Sequence, residues 1–303
     1  MTGNHAFLPV KEKINQLNNE SIFDTLPLYP GIELSFMHLK TDKIAFHHES
    51  LDHMLEINYC HSGRIGWQLT NGNFVYLGPG DFSLHTMKTC AESFMTLPNG
   101  DYEGLTICID LDKLTIAPPD LLADTGITGD FLYDKFCQNG MFSSFSGNSK
   151  TENIFRGFYG KPDHLQNAYH RLKMLELLLY LCELDVSGRN QLSEYQSEQV
   201  ALIRTIHEQL VSNLDKRFTI EELSKQYLIN TTTLKNMFKA VYGTSIASHV
   251  KMHRLEKAAG LLKNTQDSIA DIAIQVGYGS QSKFSSSFME QYHVLPSEYR
   301  KRP

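Results

Sequence analysis

The spacing of hydrophobic residues changes period once along this chain, and the change divides it. Between about residues 30 and 110, apolar and polar positions alternate in short runs, as in 55–60, 65–69 and 105–109. A period of two over four to six residues is the pattern of a strand buried on one face. The separators His61-Ser62-Gly63, Asn71-Gly72-Asn73 and Gly78-Pro79-Gly80-Asp81 are turn-forming. Short strands at regular intervals predict a small β-barrel or jelly roll. Residues 112–163 are less regular, with short helical stretches around 129–137 and 151–158 that would pack across the barrel. Beyond Asp163 the period becomes helical. Leu165, Leu172, Leu175, Leu179 and Cys182 make one stripe, widened by Leu178 and Leu181. Val200, Ile203, Ile206, Leu210 and Leu214 make the next.

The last third of the chain carries the most informative pattern. Ile269, Ile272, Ala273 and Val276 share a helical face, and Gly277 can close that helix in a left-handed conformation. Ser280 is a good N-cap for a second helix, with Phe284 and Phe288 as its buried stripe. Gln281, Ser282, Lys283, Ser285 and Ser286 are left outward. A short helix, a tight turn and a second helix with a polar outer face form a helix-turn-helix, whose second helix can enter the DNA major groove. The unit recurs over 219–243. There Thr219 caps, Ile220 and Leu223 pack, and Thr231 or Asn230 caps a helix that turns Leu234, Met237 and Phe238 inward. Thr232, Thr233, Lys235, Asn236 and Lys239 face out. Between the copies, 246–264 reads as one long helix with Val250, Leu255, Ala258, Ala259, Leu261 and Leu262 as its apolar stripe. Two such units on one stiff spacer would read two adjacent major-groove segments.

These motifs resemble the DNA-binding domain of the AraC/XylS family of bacterial transcription regulators. The stretches that carry the resemblance are RFTIEELS from Arg217, TLKNMFKAVYGTS from Thr233, RLEKAAGLLKNT from Arg254, and SIADIAIQVGYGSQSKFSSSFMEQYHVLPSEYR from Ser268. Two departures stand out. Leu228 sits where the first turn often has glycine, which implies a wider or strained turn. Asn236 and Ser286 stand where many members present arginine, which weakens the expectation of guanine reading. The resemblance implies that Thr232, Lys235, Asn236, Gln281, Ser282, Ser285 and Ser286 face bases. Asn236 can pair with adenine, Gln281 is the strongest base-reading candidate of the second helix, and Lys239 and Lys283 suit phosphates. More loosely, 56–63 together with Leu77-Gly78-Pro79-Gly80-Asp81 resembles the cupin-like sensor half of many such regulators.

Charge supports the division. The net charge of -6 is unusual for a DNA binder until it is split. From Gln196 onward there are 14 Lys and Arg against 10 Asp and Glu, about +4, leaving 14 against 24, about -10, in the remainder. Five cysteines (Cys60, Cys90, Cys108, Cys137, Cys182) are odd in number and lack paired metal spacing, as expected of reduced thiols in a cytoplasmic protein. No signal peptide is expected, and no run reaches the ~18 apolar residues of a spanning helix.

The expected fold is therefore α+β in two domains. A cupin-like barrel or jelly roll with packing helices (29–187) follows a polar lead-in (1–28), and a linker (188–198) leads to an all-α double helix-turn-helix (199–303). Phe46, Tyr59, Trp67, Tyr76, Phe82 and Phe94 are candidates to line an effector pocket in the barrel. His47, His48, His53, His61 and His85, with Glu56, invite comparison with metal cupins. Their spacing does not match the two-His-plus-Glu pattern, so neither metal nor other cofactor is expected. The helix bearing Leu165, Leu172, Leu175 and Leu179 is a candidate for pairing two subunits, an expectation that the family resemblance supports. The reading is a non-enzymatic, ligand-responsive transcription regulator. Its expected partners are a double-stranded DNA operator, an unidentified small-molecule effector and a second copy of the chain, with RNA polymerase as a further candidate. The alternative is a metal-dependent cupin-type enzyme with an accessory helical domain.

Overall fold

The computed structural model describes residues 22–47, 50–90, 92–186 and 192–301. The chain divides into two compact units, Met1–Gln196 and Ser197–Pro303. Most of the lead-in, His48 and part of the linker lie outside the described residues.

The first unit is built on two sheets. Strands β1 (Ile22–Tyr29), β2 (Ile32–Lys40), β4 (Met54–Gly63), β7 (Phe82–Thr86), β9 (Asp101–Asp110) and β10 (Ser143–Phe145) form a sheet in the order β1-β2-β9-β4-β7-β10. Strands β3 (Lys43–His47), β5 (Ile65–Gln68), β6 (Phe74–Leu77) and β8 (Glu92–Thr96) form the second, in the order β3-β8-β5-β6. Met37, Leu39, Cys60 and Tyr102 of the larger sheet pack with Ile44, Ile65, Trp67, Val75, Leu77 and Met95 of the smaller, giving the double-sheet form of the barrel. β1 begins inside the stretch read as a lead-in. It contains Pro27, which an edge strand tolerates because its N–H side needs no partner.

The larger sheet is covered on its other face too. Helices α1 (Leu111–Ile116), α2 (Gly129–Phe136), α3 (Ser149–Arg156) and α4 (Asp163–Glu183) bring Leu132, Phe155, Met174 and Leu178 against Leu34, Ile57, Leu84 and Ile107. This second core relocates two of the candidate pocket residues. Tyr59 and Phe82 alternate outward to the helices, Tyr59 stacking on Phe155 at 4.2 Å and Phe82 on Phe145 at 5.2 Å. Tyr76 also turns away from the space between the sheets and lies over Gly66, where a Cβ would collide with its ring. Phe94 is exposed beneath the Lys43 ammonium, 3.8 Å from the ring centroid. Among the six, Trp67 faces the inter-sheet core. Phe46 is paired with Ser93 in the β3–β8 ladder, and its side chain is outside the described residues.

On α4 the apolar stripe splits. Leu175 is buried against the sheet, so it belongs to the core and not to a pairing surface. Leu165, Leu172 and Leu179 are exposed at seven-residue intervals, with exposed Tyr169 among them. That interval keeps them on one side of the helix.

The second unit is all helical. Its elements are α5 (Ser197–Ser212), α6 (Ile220–Gln226), α7 (Thr231–Tyr242), α8 (Ile246–Asn264), α9 (Ile269–Gln275), α10 (Gln281–Tyr292) and α11 (Pro296–Tyr299). Among the described residues, no helix of either unit is long and apolar enough to cross a membrane.

Candidate nucleic-acid interface

Local chemistry starts each helix of the two readers. Thr219 and Glu222 form a capping box: the Glu222 amide donates to Thr219 Oγ1 at 3.2 Å, and the Thr219 amide donates to Glu222 Oε2 at 2.8 Å. That backbone donor holds the Glu222 carboxyl below its ordinary pKa. Asn230, rather than Thr231, caps α7, its Oδ1 accepting from the amides of Thr232 and Thr233. Ser268 and Ser280 cap α9 and α10 in the same way. Such caps are worth about 1 kcal/mol each, so the start of each helix is fixed locally.

Once the starts are fixed, the buried faces set which side chains remain outside. On α7, Leu234, Met237, Phe238 and Val241 are buried, and Thr232, Thr233, Lys235, Asn236 and Lys239 are exposed. On α10, Phe284 and Phe288 are buried, their rings 5.5 Å apart. Gln281, Ser282, Lys283 and Ser286 are exposed there, and Ser285 is half-buried. Each helix thus offers a short polar surface beginning within its first turn.

The 19-residue α8 serves both readers. Leu255, Ala258, Ala259 and Leu262 pack with Ile272, Ala273, Val276, Phe284 and Phe288 of the second. Its N-terminal part meets the first through His249, whose ring lies 5.4 Å from Phe238 and 4.9 Å from Tyr242. A helix of that length spans about 28 Å, close to the ~34 Å of one DNA turn.

Arg254 of α8 ties the two together. Its Nε donates to the Leu214 carbonyl at 2.8 Å and its Nη2 to the Lys216 carbonyl at 2.9 Å, anchoring the loop that precedes the first reader. Gly277, in the turn of the second, sits against the same place. Its φ is +83°, and a Cβ there would run into the Leu214 carbonyl oxygen and the Arg254 guanidinium. Lys251 Nζ and Glu290 Oε2, 2.6 Å apart, add a link between α8 and α10.

Two features of this unit escape a reading of hydrophobic pattern alone. Arg254 looks like any polar residue of a spacer helix, and only its partners reveal the anchor. His207, His249 and His253 converge beneath the first reader. The four-residue spacing of His249 and His253 on one helix is a legible signal for that cluster, whereas His207 on α5 is not. Burial is the main cause that lowers the His249 pKa to about 3 and the His207 pKa to about 4, with His253 as a further cause for each.

Known proteins share this part of the chain. A family described as a helix-turn-helix domain matches residues 223–302. The transcriptional activator RhaR of Mannheimia succiniciproducens is 29% identical over 140 residues, which are 46% of this chain and 47% of that protein. The regulatory protein SoxS of Salmonella typhimurium is 32% identical over 101 residues, 33% of this chain and 94% of SoxS. Among solved structures, the C-terminal domain of AraT, a response regulator from Geobacillus stearothermophilus, is 30% identical and covers 33% of this chain and 84% of that one, with a TM-score of 0.32. The match to RhaR spans about half of that relative's length. With 94% of SoxS matched at 32% identity, the chain belongs to the AraC/XylS family of transcription regulators.

Proposed function

We propose that the chain is a sequence-specific, DNA-binding transcription regulator that responds to a small molecule. The observation that carries the reading is the pair of capped, polar-faced helices α7 and α10 on one spacer helix, in the last third of the chain, where the net charge is positive. Thr232, Thr233, Lys235 and Asn236 read one groove segment, and Gln281, Ser282, Ser285 and Ser286 read the next. Lys239 and Lys283 hold phosphates. Family membership supports this and sets aside the metal-cupin enzyme, since the matched relatives are named as regulators. The experiment is anisotropy of labelled operator DNA selected from a random pool. Tight binding that survives competitor DNA is expected, with Lys239→Ala weakening all sequences alike and reducing the salt slope by about 1. Equal affinity for every sequence would overturn the reading.

The effector binds between the two sheets. Trp67 and Phe142 supply apolar surface there, and Phe142 stacks on the buried His85 ring at 4.4 Å. Asn58 Nδ2, Ser83 Oγ and His85 Nδ1 are buried there with no hydrogen-bond partner among the described residues. Unmade bonds of this kind cost about 1–3 kcal/mol each, which a ligand with complementary polar groups would recover. The expected result is a change in Trp67 fluorescence with the cognate metabolite and none in Asn58→Leu. Two chains pair through the exposed Leu165, Tyr169, Leu172 and Leu179 face of α4. Sedimentation should show a dimer that Leu172→Asp dissociates, and a monomeric wild type would exclude that pairing.

A further inference from the structure

We propose that His207, His249 and His253 form a binding site for one divalent transition-metal ion of the zinc, cobalt or nickel class, built into the DNA-binding unit. One ring nitrogen from each of the three lies within 4.8 Å of the others. His249 and His253 are one helical turn apart on α8, and their Nε2 atoms are 3.0 Å from each other. Ligands at about 2.0–2.1 Å from a tetrahedral ion stand about 3.3 Å apart, so this pair needs only a few tenths of an ångström to become two adjacent ligands. His207 reaches in from α5, its ring 4.9 Å from that of His249 and 5.8 Å from that of His253. A modest turn of that ring completes a three-nitrogen face.

Without an ion the two Nε2 atoms of His249 and His253 share one proton in a hydrogen bond, and a bound ion would displace that proton. His253 Nδ1 lies 3.3 Å from Glu256 Oε2. A carboxylate in that position takes the Nδ1–H, fixes the ring and leaves Nε2 facing the cluster, the arrangement that commonly backs a metal-bound histidine. His249 is almost wholly buried, and His207 is stacked on Tyr242 at 4.3 Å. Three imidazoles without a thiolate or a directly facing carboxylate select borderline transition ions over magnesium and calcium. His253 is 30% exposed, so an ion can enter from that side and water can fill a fourth position.

The site also has a consequence for reading DNA. It joins α5 to α8, and Tyr242, stacked on His207, is the last residue of α7. An ion would therefore clamp the base of the first reader and leave the second untouched.

The test is titration of the full chain with Co²⁺, followed by displacement with Zn²⁺ against a chromophoric chelator. One equivalent should bind with the visible spectrum of tetrahedral cobalt, and zinc should raise the melting temperature. His253→Gln is the informative variant because that side chain is partly exposed. It should lose the spectrum and the thermal gain while melting normally without metal. Glu256→Gln should weaken binding about tenfold through the ring it orients. X-ray absorption of the zinc-loaded wild type should show a shell of three imidazole nitrogens and one oxygen, which keeps the proposal testable if the variant misfolds. No stoichiometric binding, an all-oxygen shell, or unchanged affinity in a folded His253→Gln would each overturn it and leave the cluster as a hydrogen-bonded core.

Discussion

The two helix-turn-helix units follow the same backbone path with their special residues exchanged. Each needs one left-handed residue in its turn and another after its second helix. In the first unit these are Leu228, at φ +52°, and Gly243, at φ +81°. In the second they are Gly277, at φ +83°, and His293, at φ +56°. Topology demands the torsion in all four places, and the space around the Cβ decides who can occupy it. Leu228 is 94% exposed, so its side chain costs only the intrinsic strain of the conformation. Gly277 is pressed against the Leu214 carbonyl and Arg254, where the two readers are joined, and tolerates no side chain. The second turn therefore carries the relative orientation of the two units, and the first turn only its own shape.

The largest effect should come from breaking that junction. Gly277→Ala combines a left-handed alanine with a collision against backbone, and should cost about 3 kcal/mol in chemical denaturation. It should also abolish specific binding more completely than its stability loss accounts for, because both readers shift. Next come the residues proposed to read bases. Asn236→Ala and Gln281→Ala should each lose about 1–3 kcal/mol of sequence discrimination in competition binding, each at its own half of the operator. Smaller still, Leu228→Gly removes a left-handed Cβ but frees the unfolded chain, for a net gain of about 0.5–1 kcal/mol in melting experiments. His293→Gly should gain less, under about 0.5 kcal/mol, since histidine visits that conformation more readily than leucine. Should Gly277→Ala and Leu228→Ala prove equally mild, the contrast between the two turns would vanish.

Much of this region is legible in the sequence. Thr219, Ser280, the Phe284 and Phe288 stripe and the outward set on α7 follow from capping and a 3.6-residue period, which are local rules. What resisted was non-local. Alternation says which residues of β4 and β7 share a face, but not that both faces of their sheet are covered. Tyr59 and Phe82 therefore read as facing the barrel interior, whereas they lie on the helix-covered side of the sheet. Leu175 and Leu172 both belong to the apolar stripe of α4, and only the sheet beneath it separates the buried one from the exposed one. Pro27 and Asp24 disguised β1, whose place at a sheet edge makes the proline harmless. Arg254 and His207 gain meaning from partners 40 and 42–46 residues away.

The claim on which the rest depends is that α7 and α10 address neighbouring major-groove segments of one duplex. Methylation protection on the selected operator tests it most directly, comparing wild type with Asn236→Ala and Gln281→Ala. Two protected patches about 10 base pairs apart on one face are predicted, with one fading in each variant. A single patch, or two that fade together in either variant, would contradict it.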